Sequence, residues 1–321
     1  MTNQAGNALR GVLFFSLFWP SFTRLGFEAR RRWWDTSQPD LSGQTWLVTG
    51  ASAGIGREIA LAAARSGARV IAAARRADAL DDLAMQSGGA IEPRATDLSQ
   101  MGAVLDLAAS LPRVDVLINN VDVMFNRPQT TVDGLDAGFA TNLLGHYLLT
   151  EEMIDHDRLA AGAGVVTMTS GGAYNVPLTL EPLIDMRPYE GTLAYAYQKR
   201  AQIALNGYWR QHYESRFRFY VTHPGWVETP GVAEAMPLFR MTFAALLRTP
   251  RQGADTALWL GATRPVSRRA DSVWFDRAEY PAHLLPGTRQ GAATGDLIGL
   301  LDDHKARVAD RSGAPAMPIP R

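Results

Sequence analysis

Two residues four apart, Tyr195 and Lys199, sit in the run Tyr195-Ala196-Tyr197-Gln198-Lys199. On a helix that spacing places both side chains on one face. A phenol at its ordinary pKa of about 10 is a poor acid–base partner at neutral pH. A neighbouring ammonium favours the phenolate and lowers that value. Tyr195 is then able to give a proton to a carbonyl oxygen during reduction and to take one back from an alcohol during oxidation. Tyr197 lies off this face and is assigned no chemistry. Ser170 follows an apolar run and precedes Gly171-Gly172. Its hydroxyl is suited to polarise a carbonyl and steady the oxyanion that develops. A lone Tyr-x-x-x-Lys is a frequent chance pattern, so the weight rests on the elements that bring these groups together.

Those elements alternate. Residues 45–48 read as an apolar strand, 55–65 as a helix, 69–74 as a strand, 77–85 as a helix, and a short strand falls near Ile91. A helix over 101–109, a buried strand over 114–118 and a long helix over 142–159 follow. Residues 164–169 form a strand, 193–213 a long helix and 217–222 a strand. Strands alternating with helices predict an α/β fold with helices on both faces of a parallel sheet. Right-handed crossovers make that a doubly wound parallel sheet. In such sheets ligands gather beyond the carboxyl ends of the strands, and Ser170 ends the fifth.

The first strand runs into Thr49-Gly50-Ala51-Ser52-Ala53-Gly54-Ile55-Gly56, and a helix follows. Gly50 allows the tight turn, Gly54 lets backbone approach a pyrophosphate, and Gly56 lets helix pack on strand. The helix N-terminus offers free N–H groups and partial positive charge to phosphates. The end of the second strand reads Ala74-Arg75-Arg76, with no acid between Arg69 and Arg76. An acid there holds the ribose 2′-hydroxyl of NAD, whereas arginine suits a 2′-phosphate. The expectation is therefore NADP(H), with Arg75 at the phosphate. The alternative is a pair of solvated arginines opening a surface helix.

The bulk composition narrows the classes. The 321 residues are 46% hydrophobic, enough for one large α/β domain with terminal extensions. Lysine plus arginine and aspartate plus glutamate balance at 32 each. That leaves no basic footprint for nucleic acid. With no cysteine, disulfides, thiolate metal sites and cysteine nucleophiles are excluded, and a reducing cytoplasm fits. The six histidines show no zinc-helix spacing, so no metal is expected. Residues 1–40 mix Arg10, Arg24, Arg30, Arg31 and Arg32 with Phe14, Phe15, Phe18, Trp19, Phe22, Phe27, Trp33 and Trp34. This extension reads as a helix packed on the domain surface, or as an interfacial helix giving peripheral membrane contact. Its apolar run over 12–19 is too short to span a bilayer, and no cleavage site follows it. Residues 41–312 form the main domain, and 313–321, with Pro315, Pro318 and Pro320, read as a disordered tail.

The spacing Thr-Gly-x-x-x-Gly-x-Gly, with Ser170, Tyr195 and Lys199 in order behind it, resembles the short-chain dehydrogenase/reductase family in its compact single-domain branch. Residues 44–285 carry the resemblance. Ser170-Gly171-Gly172, Glu190-Gly191-Thr192, His223-Pro224-Gly225-Trp226 and Phe275-Asp276-Arg277 are similar to the dehydrogenase/reductase member twelve-like subgroup. The resemblance implies a Rossmann fold, a single domain and self-association into dimers or tetramers. It implies that Gly50, Ser52, Gly54, Ile55, Gly56, Arg75, Asp97, Leu98, Asn119, Lys199, Pro224 and Thr229 bind the cofactor. Asp97 would meet the adenine edge, and Thr229 the carboxamide or phosphates. Asn142 would join the catalytic set through a water relay to Lys199, although it serves equally well as a plain helix cap. The chain departs from the family after the fourth strand. Asn119-Asn120-Val121-Asp122 stands where Asn-Asn-Ala-Gly is usual. Asp122 is expected to take a glycine-like left-handed turn, and Val121 adds bulk where adenosine would lie.

Between Ser170 and Tyr195 the chain carries Tyr174, Val176, Pro177, Leu178, Leu180, Leu183, Ile184, Met186 and Tyr189. After Thr229 come Val232, Met236, Leu238, Phe239, Met241, Phe243 and Leu246. Apolar pockets are lined this way, which points to a lipophilic carbonyl or alcohol such as a retinoid, steroid or fatty aldehyde. The same residues read equally as core or as a dimer patch. The function expected is hydride transfer between NADP(H) and that substrate; the alternative is a non-catalytic dinucleotide-binding sensor or scaffold.

Overall fold

A computed structural model describes residues 19–35, 37–269 and 271–312. Its centre is an eight-stranded sheet of order β3-β2-β1-β4-β5-β6-β7-β8. The strands are β1 Thr45–Thr49, β2 Arg69–Ala74, β3 Ile91–Ala95, β4 Val114–Asn119, β5 Leu159–Met168, β6 Arg218–Thr222, β7 Ser272–Phe275 and β8 Ala278–Pro281. All pair in parallel except β8, which is antiparallel to β7. β1, β2, β4 and β6 are buried along nearly their whole length because both sheet faces are covered. One face packs on α4 (Met101–Ser110), α5 (Gly145–Asp155) and α7 (Gly191–Tyr213), and the other on α2 (Gly54–Arg65) and α10 (Pro250–Thr263). Strand order reverses at β1, so the crevice between the β1 and β4 ends is the topological switch point. The observed registers pair Thr49 with Ala73 and Asn119 with Thr167, so these strand ends open on one side.

The remaining helices are α1 (Arg24–Arg31), α3 (Ala77–Gln86), α6 (Glu181–Ile184), α8 (Pro230–Ala235), α9 (Pro237–Phe243) and α11 (Thr294–Ser312). In the extension, Phe22 and Phe27 are buried in the domain, whereas Trp33 is 88% exposed. No described helix is long and apolar enough to cross a membrane. The expected tail, 313–321, and residues 1–18 of the extension lie outside the described residues.

Two local readings need correction. The helix expected over 142–159 begins earlier, at Ala137–Phe139, where Asp136 caps the Phe139 N–H at 2.8 Å. It passes through a π-helical turn, Ala140–Leu144, before α5. Asn142 lies inside that turn and is not a cap. The helix ends at Asp155 because Asp157 takes a left-handed φ of 54°, and Leu159 already belongs to β5. Asp122, expected in a left-handed turn, is not among the positive-φ residues.

Candidate active site

The dinucleotide end is built by the β1–α2 turn. Gly50 has φ +68°, and a Cβ on it would lie 2.8 Å from the Val121 Cα, so only glycine fits there. The N-cap of α2 is Ala53, which offers no side-chain hydrogen bond. The first-turn N–H groups beside Ser52, Gly54 and Ile55 are thus left for an anion in the cavity these residues line. Arg75 lines the same cavity from the end of β2 and is exposed. Its neighbour Arg76 leans 3.7 Å from Asp78. Asp97, Leu98, Pro224 and Thr229 also line the cavity. Asp97 accepts the Ser99 N–H at 3.0 Å, and Thr229 caps α8 through the Val232 N–H at 3.2 Å. The free N–H groups of this turn fit a phosphate-bearing ligand.

Asn119 does not reach the cavity. Successive strand residues point to opposite sides, and Asn119 is buried, donating to the Thr150 hydroxyl at 3.0 Å. Asn120 lines the cavity instead, fixed by its amide on the Thr49 carbonyl at 2.9 Å. Gly56 lies beneath the cavity, its Cα facing the Gly50 carbonyl.

The reacting end rests on α7. Glu190 caps this helix by accepting the Thr192 and Leu193 N–H groups. A Cβ at Gly191 would lie 2.0 Å from the Phe125 carbonyl oxygen, so glycine lets the helix start against the chain that leaves β4. One turn on, the Tyr195 hydroxyl donates to Asp122 Oδ2 at 2.8 Å, and Ser170 lines the same cavity beside it. Ser170 itself accepts the Gly172 N–H at 3.4 Å, at the start of a 3-10 turn. Lys199 is fully buried; its Nζ donates to the Met168 carbonyl at 2.9 Å and stands 2.9 Å from Asp122 Oδ2. The two side chains share one helix face, with Nζ 5.2 Å from the Tyr195 ring centre.

The electrostatics differ from the sequence expectation. Lys199 was to draw the Tyr195 phenol downward. Burial, and next the Asp122 charge, instead push Tyr195 well above its ordinary value, while the Ser170 hydroxyl favours the opposite direction. Burial pulls Lys199 down, and Asp122 opposes that. Behind them, burial pulls His146 to about 3, so its ring is neutral, with Nε2 2.9 Å from the Val121 carbonyl.

Asn142 does not contact Lys199. Its oxygen accepts the Val123 N–H at 2.7 Å, and its amide donates to the Val123 carbonyl and to Gln198 Oε1, each at 2.7 Å. In this structure it clamps the segment bearing Asp122 to α7.

The cavity measures about 950 Å³ and runs from Arg75 past Ser170 and Tyr195 to an apolar end. Val176, Tyr189, Val232, Met236 and Phe239 form part of that end. Tyr174, Leu178 and Leu183, read as lining candidates, are buried in the core, whereas Leu238 and Met241 are exposed. Sequence reasoning missed Phe22 and Trp226, which line the same end. The signal for Phe22 was present only as an unassigned aromatic among arginines. Its place depends on buried Arg248, which donates to the Phe22 carbonyl at 3.0 Å.

The comparisons agree with this geometry. The family model described as short chain dehydrogenase matches residues 44–237. The chain is 34% identical to human dehydrogenase/reductase SDR family member 12, over 91% of this chain and 96% of that protein. It is 31% identical to mouse retinol dehydrogenase 14, over 87% of this chain and 90% of the relative. A solved structure of an uncharacterised Mycobacterium paratuberculosis protein superposes with a TM-score of 0.65 at 26% identity, covering 88% and 98% of the two chains. Sheet order, glycine turn and sequence relatives lead to one assignment: the chain belongs to the short-chain dehydrogenase/reductase family, whose members are oxidoreductases using a nicotinamide dinucleotide.

Proposed function

We propose that this protein is an NADP(H)-dependent oxidoreductase that interconverts a lipophilic carbonyl and its alcohol. The observation that carries this reading is that Ser170 and Tyr195 line one cavity between the glycine turn and an apolar wall. The dinucleotide supplies the hydride when bound. Ser170 holds and polarises the carbonyl oxygen, and Tyr195 delivers the proton that the oxygen needs as the carbon is reduced. Arg75, without an acid beside it on β2, favours the 2′-phosphate form of the cofactor. Phe22, Trp226 and Phe239 favour a long apolar substrate, in keeping with the relative named retinol dehydrogenase. The cavity wall includes Phe22, so the described end of the extension contributes to the apolar side of the site. The test is initial rates with NADPH and with NADH across aldehydes of increasing chain length and a retinaldehyde. Preference for NADPH and rising kcat/KM with apolar length are expected. Equal use of both cofactors, or preference for small hydrophilic ketones, overturns the reading.

A further inference from the structure

We propose that Asp122 is a positioning residue that acts through the Tyr195 hydroxyl and the Lys199 ammonium. It keeps the acid of the site loaded with its proton, so that proton delivery to a carbonyl persists to higher pH. The proposal rests on the proton-transfer role given to Tyr195 above and assigns to that role a residue foreign to the family's Asn-Asn-Ala-Gly pattern. A single oxygen, Asp122 Oδ2, receives the phenol at 2.8 Å and faces Lys199 Nζ at 2.9 Å. Ionising Tyr195 would set a phenolate beside a carboxylate at hydrogen-bond distance, so the protonated phenol is favoured. The same carboxylate neutralises an ammonium that is otherwise buried with one carbonyl partner.

The carboxylate is held in place from both sides. Val121 N–H donates to the Thr49 hydroxyl at 3.1 Å, and Val123 is pinned by Asn142 through its N–H and its carbonyl. The groups facing the phenol come from four elements. Asp122 lies after β4, Ser170 after β5 and Lys199 on α7. His146 on α5 lies behind them and is neutral. The nearby Glu190 has its carboxylate engaged by the Thr192 and Leu193 N–H groups. Asp122 is therefore the acidic group in contact with Tyr195 among the described residues.

The sign follows directly. A phenol held in its protonated form keeps reduction active to higher pH and delays oxidation to higher pH. Removing the charge in Asp122→Asn lowers the alkaline limb of carbonyl reduction by on the order of one to two pH units. It lowers the onset of alcohol oxidation in the same direction.

The experiment has two parts. The protein without dinucleotide is titrated through the near-ultraviolet tyrosinate band, and the contribution of residue 195 is isolated by subtracting Tyr195→Phe on each background. The pH profile of kcat/KM for NADPH-dependent aldehyde reduction is then measured. Asp122→Asn, Asp122→Gly and Asp122→Glu are compared with the wild type, the glycine variant serving if the asparagine variant does not fold. The expected result is that the residue-195 titration and the alkaline limb move down together in Asn and Gly and return toward wild type in Glu. An unmoved titration overturns the proposal, and so does a titration that moves while the alkaline limb stays. If the wild type reduces no carbonyl, the functional reading falls. The titration of the free protein still decides whether Asp122 holds the phenol.

Discussion

Asp276→Asn is the substitution whose cost follows most directly from the packing. Asp276 takes the Arg248 guanidinium as a fork, Nη1 to Oδ1 at 2.6 Å and Nη2 to Oδ2 at 2.9 Å, and both side chains are 1% exposed. Arg30 adds Nε to Oδ2 at 2.7 Å from α1. Arg248 then reaches the carbonyls of Ser21, Phe22 and Pro224, so one buried guanidinium ties the extension to the pocket rim. Asp276 has φ +49°, a backbone asparagine adopts readily, so the substitution removes charge without adding backbone strain. It leaves Arg248 buried without its counter-charge, a loss of about 3–5 kcal/mol. For a chain of 321 residues that corresponds to a Tm lower by roughly 4–7 °C. Urea denaturation and thermal scans of the wild type, Asp276→Asn, Arg248→Met and the double variant form the assay. The double variant should recover part of the loss, because the uncompensated charge is gone. A single-variant cost under about 1 kcal/mol, or strictly additive losses, would refute the reasoning.

Two further outcomes follow from other parts of the molecule. Arg75→Ala should weaken NADPH binding roughly tenfold or more while leaving NADH unchanged, since the loss is a charge-assisted phosphate contact; calorimetric titration with both cofactors checks this, and equal losses count against it. Glu151, buried beneath α7, is pushed up to about 7 by burial while Trp209 Nε1 donates to it at 2.6 Å. An acid whose folded value is raised binds its proton more tightly when folded, so wild-type stability falls as pH rises from about 4.5 to about 7 and levels above. Glu151→Gln carries no such loss, and its stability relative to wild type should improve across that window by up to about 3 kcal/mol, read by urea denaturation on tryptophan fluorescence. A pH-independent difference between the two proteins would contradict it.

Much of this architecture is legible because it is written in local chemistry. The apolar run of β1 and the glycines behind it specify a buried parallel strand and a phosphate-binding turn without tertiary information. Tyr195 and Lys199 share a face because a helix has one period. What was illegible depends on contacts far apart in sequence or on residues that carry unusual backbone. The β7–β8 hairpin turns at Asp276 and Arg277, both with positive φ, where the usual glycine signal is missing. The end of α5 at Asp157 lacks that signal for the same reason. Asn119 and Asn120 are interchangeable as letters, and only strand pleat separates the buried one from the one at the cavity. Asp122 read as a tolerated replacement in a turn. Its carboxylate meets Tyr195 and Lys199 only because β4 and α7 are brought side by side by the fold.

The central claim is that the Tyr195 hydroxyl delivers the proton in carbonyl reduction. The most direct measurement is single-turnover NADPH oxidation with a lipophilic aldehyde, comparing wild type with Tyr195→Phe after matching NADPH occupancy by titration. Loss of roughly 100- to 10,000-fold in the chemical step, with dinucleotide affinity retained, is the predicted result. A Tyr195→Phe protein that reduces the aldehyde at the wild-type rate would contradict it.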